Sequence, residues 1–135
     1  MLKLNESGLA SLKINFMVIQ DIANRLVELC RKNEFEKALD ELFSQDAVSL
    51  EPHSSPAFDK ETKGLSAIKE KGVKWNNMVK EVHEISVSDP LVSTNSFACN
   101  MRLNVTMKEH GAMDMSELCV YQVKDGKIIL EQFFP

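Results

Sequence analysis

The stretch ELCVYQVKDGKIILEQFFP, residues 117–135, decides the fold because it predicts two paired β-strands. Side chains alternate with period two from Glu117 to Val123, which is typical of a strand. Asp125-Gly126 supplies the reversal, since both residues tolerate the positive φ angles that short hairpin turns require. Residues Ile128 to Phe134 return as a second strand rich in β-branched and aromatic residues. A hairpin this apolar on both faces needs further strands beside it and helices over it.

Working outward from the hairpin, the period of two extends back to Val82. It predicts strands at 82–93, 96–108, 112–124 and 127–134, with Asp89-Pro90 producing a bulge or an edge position in the first of them. Before Val82 the apolar period is helical. It predicts helices at about 16–32, 34–43 and 65–79, with a short strand at 47–51.

Three local features qualify this assignment. Asn33 is expected to stop the first helix and to cap the second. The loop 52–63, with its prolines and Phe58, is expected to be a functional lid or disordered. Gly72 lies inside the third helix, where it costs about 1 kcal/mol against alanine. That cost predicts a close approach of another backbone or a ligand. The order of elements predicts an α+β domain with helices over one face of a curved antiparallel sheet.

Length and composition bound the function. The chain has 135 residues, 44% hydrophobic and 27% charged, with a net charge of −4. This predicts one domain at residues 16–135 after a poorly ordered lead-in or packed arm at 1–15. Six lysines are interspersed with acids, which favours a solvated helix face over a nucleic-acid site; they are Lys60, Lys63, Lys69, Lys71, Lys74 and Lys80. We expect no membrane segment and a cytoplasmic location.

The three cysteines, Cys30, Cys99 and Cys119, have no metal-binding spacing and lie in apolar patterns. They are therefore expected to be reduced core residues. No histidine pair has metal-ligand spacing, and no glycine-rich phosphate loop is present. The sequence accordingly predicts no metal and no cofactor.

Polar residues on apolar strand faces are the candidates for a site. In strand 112–124, Glu117 shares one face with Met113, Met115, Cys119 and Tyr121, and an unpaired buried carboxylate is costly. His83 occupies a similar position beside Ile85 and Val87. Exposure at a strand end is the simpler explanation of Glu117, and a satisfied core side chain is the simpler explanation of His83. Together with Glu51 and Trp75, however, they could line one small-ligand pocket.

The order of elements and three stretches, ELFSQDAVSLEP, KGLSAIKEKG and VYQVKDGKI, resemble the nuclear transport factor 2-like superfamily. The resemblance is greatest to its SnoaL-like branch, which includes polyketide cyclases and ketosteroid isomerases, and it covers about Val18 to Pro135. It implies a cone of three helices packed on the concave side of a bent antiparallel sheet. It also implies a pocket at the wide end and homodimers through the sheet.

The resemblance also implies site residues. Ketosteroid isomerases place a carboxylate base before a proline, and Glu51-Pro52 occupies that place here. Their oxyanion donors correspond by spacing to Val27 or Leu26 and to Cys119, none of which is a comparable donor, so this chain departs from steroid-isomerase chemistry. Polyketide cyclases use an acid on the late strands with a histidine nearby, which would be Glu117 and His83.

Three hypotheses follow. In the first, an isomerase- or cyclase-like enzyme uses Glu51 as base and His83, Glu117 and Tyr121 as hydrogen-bond donors. In the second, the same pocket only binds an unknown apolar small molecule. In the third, the polar sheet face around Arg102 and Asn104 serves an adaptor role. The expected ligand-binding residues are Trp75, Met101, Met113, Met115, Cys119 and Phe58.

Overall fold

The computed structural model describes residues 6–135, with side chains from Val18 onward. Three helices and seven strands make up this part of the chain, which confirms the predicted α+β class. In chain order they are α1 (Glu6–Arg31), α2 (Phe35–Leu42), β1 (Phe43–Leu50), β2 (Glu61–Lys63), α3 (Leu65–Met78), β3 (Val79–Val87), β4 (Leu91–Val92), β5 (Ser96–Met107), β6 (Gly111–Lys124) and β7 (Lys127–Phe134).

Helix α1 begins at Glu6, earlier than the predicted start near Phe16. The lead-in expected at 1–15 falls mainly outside the description, since residues 1–5 are not described and only the helical backbone is described for 6–17. Asn33 adopts a left-handed φ of 59° just beyond α1, as a helix stop does. It does not cap α2, whose N-cap is Glu34 without a side-chain hydrogen bond.

One curved sheet has the strand order β2-β1-β7-β6-β5-β3, with β4 pairing to β5 as well. All described pairs are antiparallel except β1 with β7, which run parallel. The predicted turn between β6 and β7 is present, with φ angles of 52° at Asp125 and 75° at Gly126. The sheet thus places the last strand between the early strand β1 and the meander β3–β6.

Two strand predictions needed correction. The predicted strand 82–93 is two strands, β3 and β4, separated by residues 88–90, where Pro90 cannot donate to a ladder. The loop predicted at 52–63 ends in a short strand, β2, which pairs with β1 at Leu50 and Glu61. The two ends of the segment between β1 and β2 therefore lie side by side. The backbone N–H of Glu51 donates to the carbonyl of Lys60 at 2.8 Å.

The core lies between the helices and the inner face of the sheet, meaning the face that α1 and α3 cover. On β5 the inner face is the predicted alternating set from Phe97 to Met107, in which all but Leu103 are buried. The ring of Tyr121 stacks on Phe97 at 4.8 Å and meets Phe43 edge-on at 6.4 Å. These aromatic contacts anchor β6 to β5 and to the start of β1.

Candidate functional site

A polar network interrupts this apolar inner face at the end of β1. Ser49 on β1 is the register partner of Glu131 on β7, and both side chains point into the core. The Ser49 hydroxyl donates to Oε1 of Glu131 at 2.7 Å. The parallel pairing of β1 with β7 is what brings these two residues together.

Lys71 enters the network from α3. It lies between Ile68 and Trp75 at helical spacings of three and four, so all three side chains share the inward face. Its Nζ lies 2.5 Å from Oε1 of Glu51 and donates to the Ser49 hydroxyl oxygen at 3.0 Å. The side chain is only 16% exposed. The prediction that Lys71 belongs to a solvated helix face is therefore wrong, because Glu51 and Ser49 satisfy its charge inside the fold.

Phe133 completes the immediate surroundings of the ammonium group. Its ring centroid lies 5.4 Å from Nζ of Lys71, which is a cation–π distance. Phe133 is also the register partner of Cys119 on β6. The lysine thus stands over the inner face of both β7 and β6.

The buried carboxyl group of Glu131 has an unusual proton affinity. Burial raises its pKa to about 7, although the hydrogen bond from Ser49 and the charge of Lys71 oppose the shift. The negative charges of Glu51 and Glu117 contribute to raising it. A carboxyl group poised near neutrality suits proton transfer, since it exchanges its proton at working pH.

Glu117 is the second carboxyl group with a raised pKa, and it is half-buried on the inner face of β6. Burial is the main cause, the charge of Glu51 adds to it, and the charge of Lys71 opposes it. Glu117, Glu51 and Glu131 therefore influence one another around a single lysine. We call Ser49, Glu51, Lys71, Glu117 and Glu131 the Lys71 cluster.

Along β6, the residues of the inner face change from half-buried to buried. Met113, Met115 and Glu117 are half-buried, whereas Cys119 and Tyr121 are buried. Met101 on β5 is the register partner of Glu117, and Trp75 follows Lys71 by one helical turn. Of the predicted site residues, Glu117, Met101, Met113, Met115 and Cys119 thus share the inner face of β5 and β6, and Trp75 shares a helix face with Lys71. Glu51 lies near enough for its charge to raise the pKa of Glu117.

Two predicted site residues, His83 and Phe58, lie away from the Lys71 cluster, whereas Tyr121 is the register partner of Glu131 on the inner face. A bulge between Val82 and Glu84 reverses the alternation of β3, so His83 does not share the face of Ile85 and Val87. It is exposed on the outer face, 2.6 Å from the hydroxyl of Thr106. Tyr121 is buried deeper than Glu117, and this burial raises its pKa. Phe58 lies in the loop after β1, where its ring contacts Nζ of Lys74 at 5.4 Å.

Sequence reasoning missed Ser49, Lys71 and Glu131. Ser49 lies on the same strand face as Ala47 and Glu51, so the period of two could have indicated a polar residue on the inner face. Glu131 was hidden by a register shift after the turn, which places both Ile128 and Glu131 inward at an odd spacing. Lys71 could have been found from its place between Ile68 and Trp75.

Two surface grooves, of about 550 and 580 Å³, lie away from the Lys71 cluster. One runs between α2 and α3, and the other borders the turn at Asp125-Gly126. Neither groove includes a member of the Lys71 cluster. A small molecule would therefore reach the cluster at the half-buried side chains of the cluster itself. Within residues 18–135, no three His, Cys, Asp or Glu side chains are arranged to hold a metal ion. None of the described helices is long and apolar enough to cross a membrane.

Comparison with known proteins identifies the family. Residues 17–135 match the SnoaL-like domain family. The chain belongs to this family. The predicted resemblance is therefore confirmed. No curated protein matches the chain at a significant level.

Solved structures agree with the family assignment. A Mesorhizobium loti protein provisionally named a SnoaL-like polyketide cyclase is 31% identical, with a TM-score of 0.80 over 87% of this chain and 98% of that one. A Xanthomonas campestris protein of unknown function with a cystatin-like fold is 18% identical, with a TM-score of 0.73 over 87% and 88%. A Bacillus subtilis protein provisionally named an isomerase is 18% identical, with a TM-score of 0.65 over 88% and 86%. The last two likenesses show the fold alone.

Proposed function

We propose that this SnoaL-like protein catalyses proton transfer at a carbon next to a carbonyl group of a small apolar molecule, without a cofactor. The observation that carries the proposal is the pair of carboxyl groups with raised pKa values, Glu117 and Glu131, beside one buried ammonium group. Carboxyl groups shifted toward neutrality and a fixed cation are what enolisation requires. The polyketide cyclase name of the 31% identical Mesorhizobium loti neighbour agrees with this chemistry.

Each residue has a distinct role in the proposal. Glu117 removes the proton, because it is half-buried and a ligand resting on Met113 and Met115 can reach it. The Lys71 ammonium stabilises the negative charge that develops on the carbonyl oxygen. Glu51, predicted as the base, instead holds Lys71 through their ion pair and stays accessible with 23% of its side chain exposed. Ser49 accepts a hydrogen bond from Lys71 and donates one to Glu131, so both residues help to hold Lys71 in position.

Deuterium exchange tests the proposal without knowledge of the natural substrate. A panel of small enolisable ketones is incubated with the protein in D₂O, and exchange at the α carbon is followed by proton NMR. We expect the wild type to accelerate exchange for at least one class of ketone. Glu117→Gln keeps the size of the side chain and removes the base, so it should slow exchange by about 10²–10⁴-fold.

Glu109→Gln serves as the matched control, since Glu109 is exposed in the turn between β5 and β6. It should leave the rate unchanged. Exchange that survives Glu117→Gln but is lost in Glu51→Gln would return the base role to Glu51. Ketones that bind without exchange would favour the alternative, non-catalytic small-ligand binding, for which the half-buried Trp75, Met113 and Met115 provide apolar contact surface.

We further propose that two copies pair through the outer face of the sheet. Leu118 and Phe134 are register partners there and are 44% and 41% exposed, and Leu91 is 80% exposed. Arg102, the expected centre of an interface, instead binds Asp114 of its own chain with both nitrogens at 2.7 and 3.0 Å. The apolar stretch is therefore the better centre. Sedimentation should give a dimer for the wild type and a monomer for Leu118→Asp; a wild-type monomer contradicts the pairing.

A further inference from the structure

Two cysteines face each other beneath the Lys71 cluster. Cys99 on β5 and Cys119 on β6 are register partners, directly opposite one another on the inner face. Both are free thiols, only 2% and 1% exposed. The next inner-face pair along the same two strands is Met101 with Glu117. The dithiol therefore lies directly under the proposed base.

The spacing of opposite residues in a sheet suits a disulfide. Directly opposite Cβ atoms in an antiparallel pair lie about 4.5–5.5 Å apart, and a disulfide needs about 3.5–4.5 Å. Closing the bond thus requires a shift on the order of 1 Å, and no strand has to change its partner. We propose that Cys99 and Cys119 are a redox-modification site, at which a peroxide converts the two thiols into a reversible cross-strand disulfide.

Cys99 is the attacking thiol. Interaction with the Cys119 side chain and the positive charge of Arg31 lower the pKa of Cys99 against its burial. Interaction with Cys99 and burial raise the pKa of Cys119. The thiolate form, which is the nucleophile, is therefore concentrated on Cys99.

The reaction balances in two steps. The Cys99 thiolate attacks one oxygen of hydrogen peroxide, the O–O bond breaks, and the departing hydroxide takes up a proton to become water. Cys99 is then a sulfenic acid. The sulfur of Cys119 next attacks the Cys99 sulfur, the S–O bond breaks, and a second water leaves with the Cys119 proton. Two thiols have lost two electrons and two protons, and one peroxide has become two waters.

The pair lies next to the partly exposed part of the inner face. Glu117 and Phe133, which adjoin Cys119 along β6 and across to β7, are both half-buried. Cys30 on α1 is also buried, and burial raises its pKa to about 12, so it is expected to remain a thiol. Cys30 therefore provides the matched control within the same chain.

Intact-mass measurement after peroxide treatment of the folded wild-type protein is the test. We expect a loss of about 2 Da that a dithiol reductant reverses. Digestion without reductant should yield one linked peptide pair containing Cys99 and Cys119, in monomeric protein. Cys30→Ser should still lose this mass, and Cys99→Ser and Cys119→Ser should not.

Other outcomes overturn the proposal. An unchanged mass in folded protein, under conditions that oxidise the denatured chain, would show that the two thiols cannot meet. A link involving Cys30, or a link between two chains, would assign the reactivity elsewhere. Mapping the link in the wild type keeps the test valid even where a serine variant fails to fold. The result is independent of the proposed proton transfer, because the readout is mass and not activity.

Discussion

Replacing Glu131 by glutamine tests how strongly the fold holds a proton at the Lys71 cluster. Glu131 is 9% exposed, and its pKa in the folded protein is about 7, against an ordinary value of 4.5. The folded state therefore binds this proton more tightly than the unfolded state does. The resulting stabilisation is fully present below about pH 4.5 and is lost as the pH rises toward about 7. Glutamine stays neutral throughout, and its amide oxygen can still accept the Ser49 hydroxyl.

The size of the effect follows from the two pKa values, which differ by about 2.5. At about 1.36 kcal/mol for a pKa difference of one, the whole stabilisation is about 3 kcal/mol, and most of it is lost between about pH 5 and about pH 8. Relative to the wild type, Glu131→Gln should thus gain about 2–3 kcal/mol of unfolding free energy over this interval. The difference in unfolding free energy between the two proteins cancels the contributions of the titrating groups that both contain.

Urea denaturation of both proteins at several pH values measures this difference. Glu109→Gln, on the exposed turn, is the control and should differ from the wild type by a constant amount. A constant difference for Glu131→Gln would refute the reasoning, since it would mean that Glu131 titrates alike in both states. A wild type that gains on the variant with rising pH would show that Lys71 stabilises the ionised form more than burial opposes it.

Three further changes have expected results. Lys71→Met removes the cation that lowers the pKa of Glu131, so the variant should lose its Glu131-linked stability at a higher pH than the wild type does. The same midpoint pH in both proteins would contradict the influence of Lys71. Gly72→Ala should stabilise by up to about 1 kcal/mol, because an added Cβ meets no atom within 4 Å and the residue lies inside α3. Gly126→Ala should destabilise by about 1 kcal/mol, because its φ is +75°. Urea midpoints measure the two glycine variants; a loss of stability in Gly72→Ala would contradict the first argument, and a gain of stability in Gly126→Ala would contradict the second.

The fold was largely predictable because its signals are local. The long strands β5 and β6 have a clear period of two, and the Asp125-Gly126 turn pairs β6 with β7. Gly72 misled because its helical cost predicted a close neighbour, whereas the structure leaves open space there. The short strand β2 was missed because three residues are too few to show a period, and its strand character comes from pairing with β1.

The site was less predictable because it depends on non-local register. Glu51 and Glu117 were identifiable from the sequence, and the charge of Glu51 raises the pKa of Glu117 in the structure. His83 was misplaced because a single extra residue in an edge strand reverses every side chain before it. The sequence shows of Lys71 only that it shares a helix face with Ile68 and Trp75, and Glu131 has no distinguishing pattern. Their meaning arises only when α3 crosses over the parallel pair β1–β7, which no local pattern encodes.

The parallel pairing of β1 with β7 also bears on the timing of folding during synthesis. Helices α1 to α3 and strands β1 and β2 leave the ribosome first, yet within the described chain β1 has its second sheet neighbour only in residues 127–134. Until that strand emerges, one edge of β1 has no partner strand, and the Ser49 hydroxyl lacks its acceptor Glu131. The early half of the domain is thus expected to remain incompletely folded, and accessible to chaperones and to other nascent chains, until β7 pairs with β1.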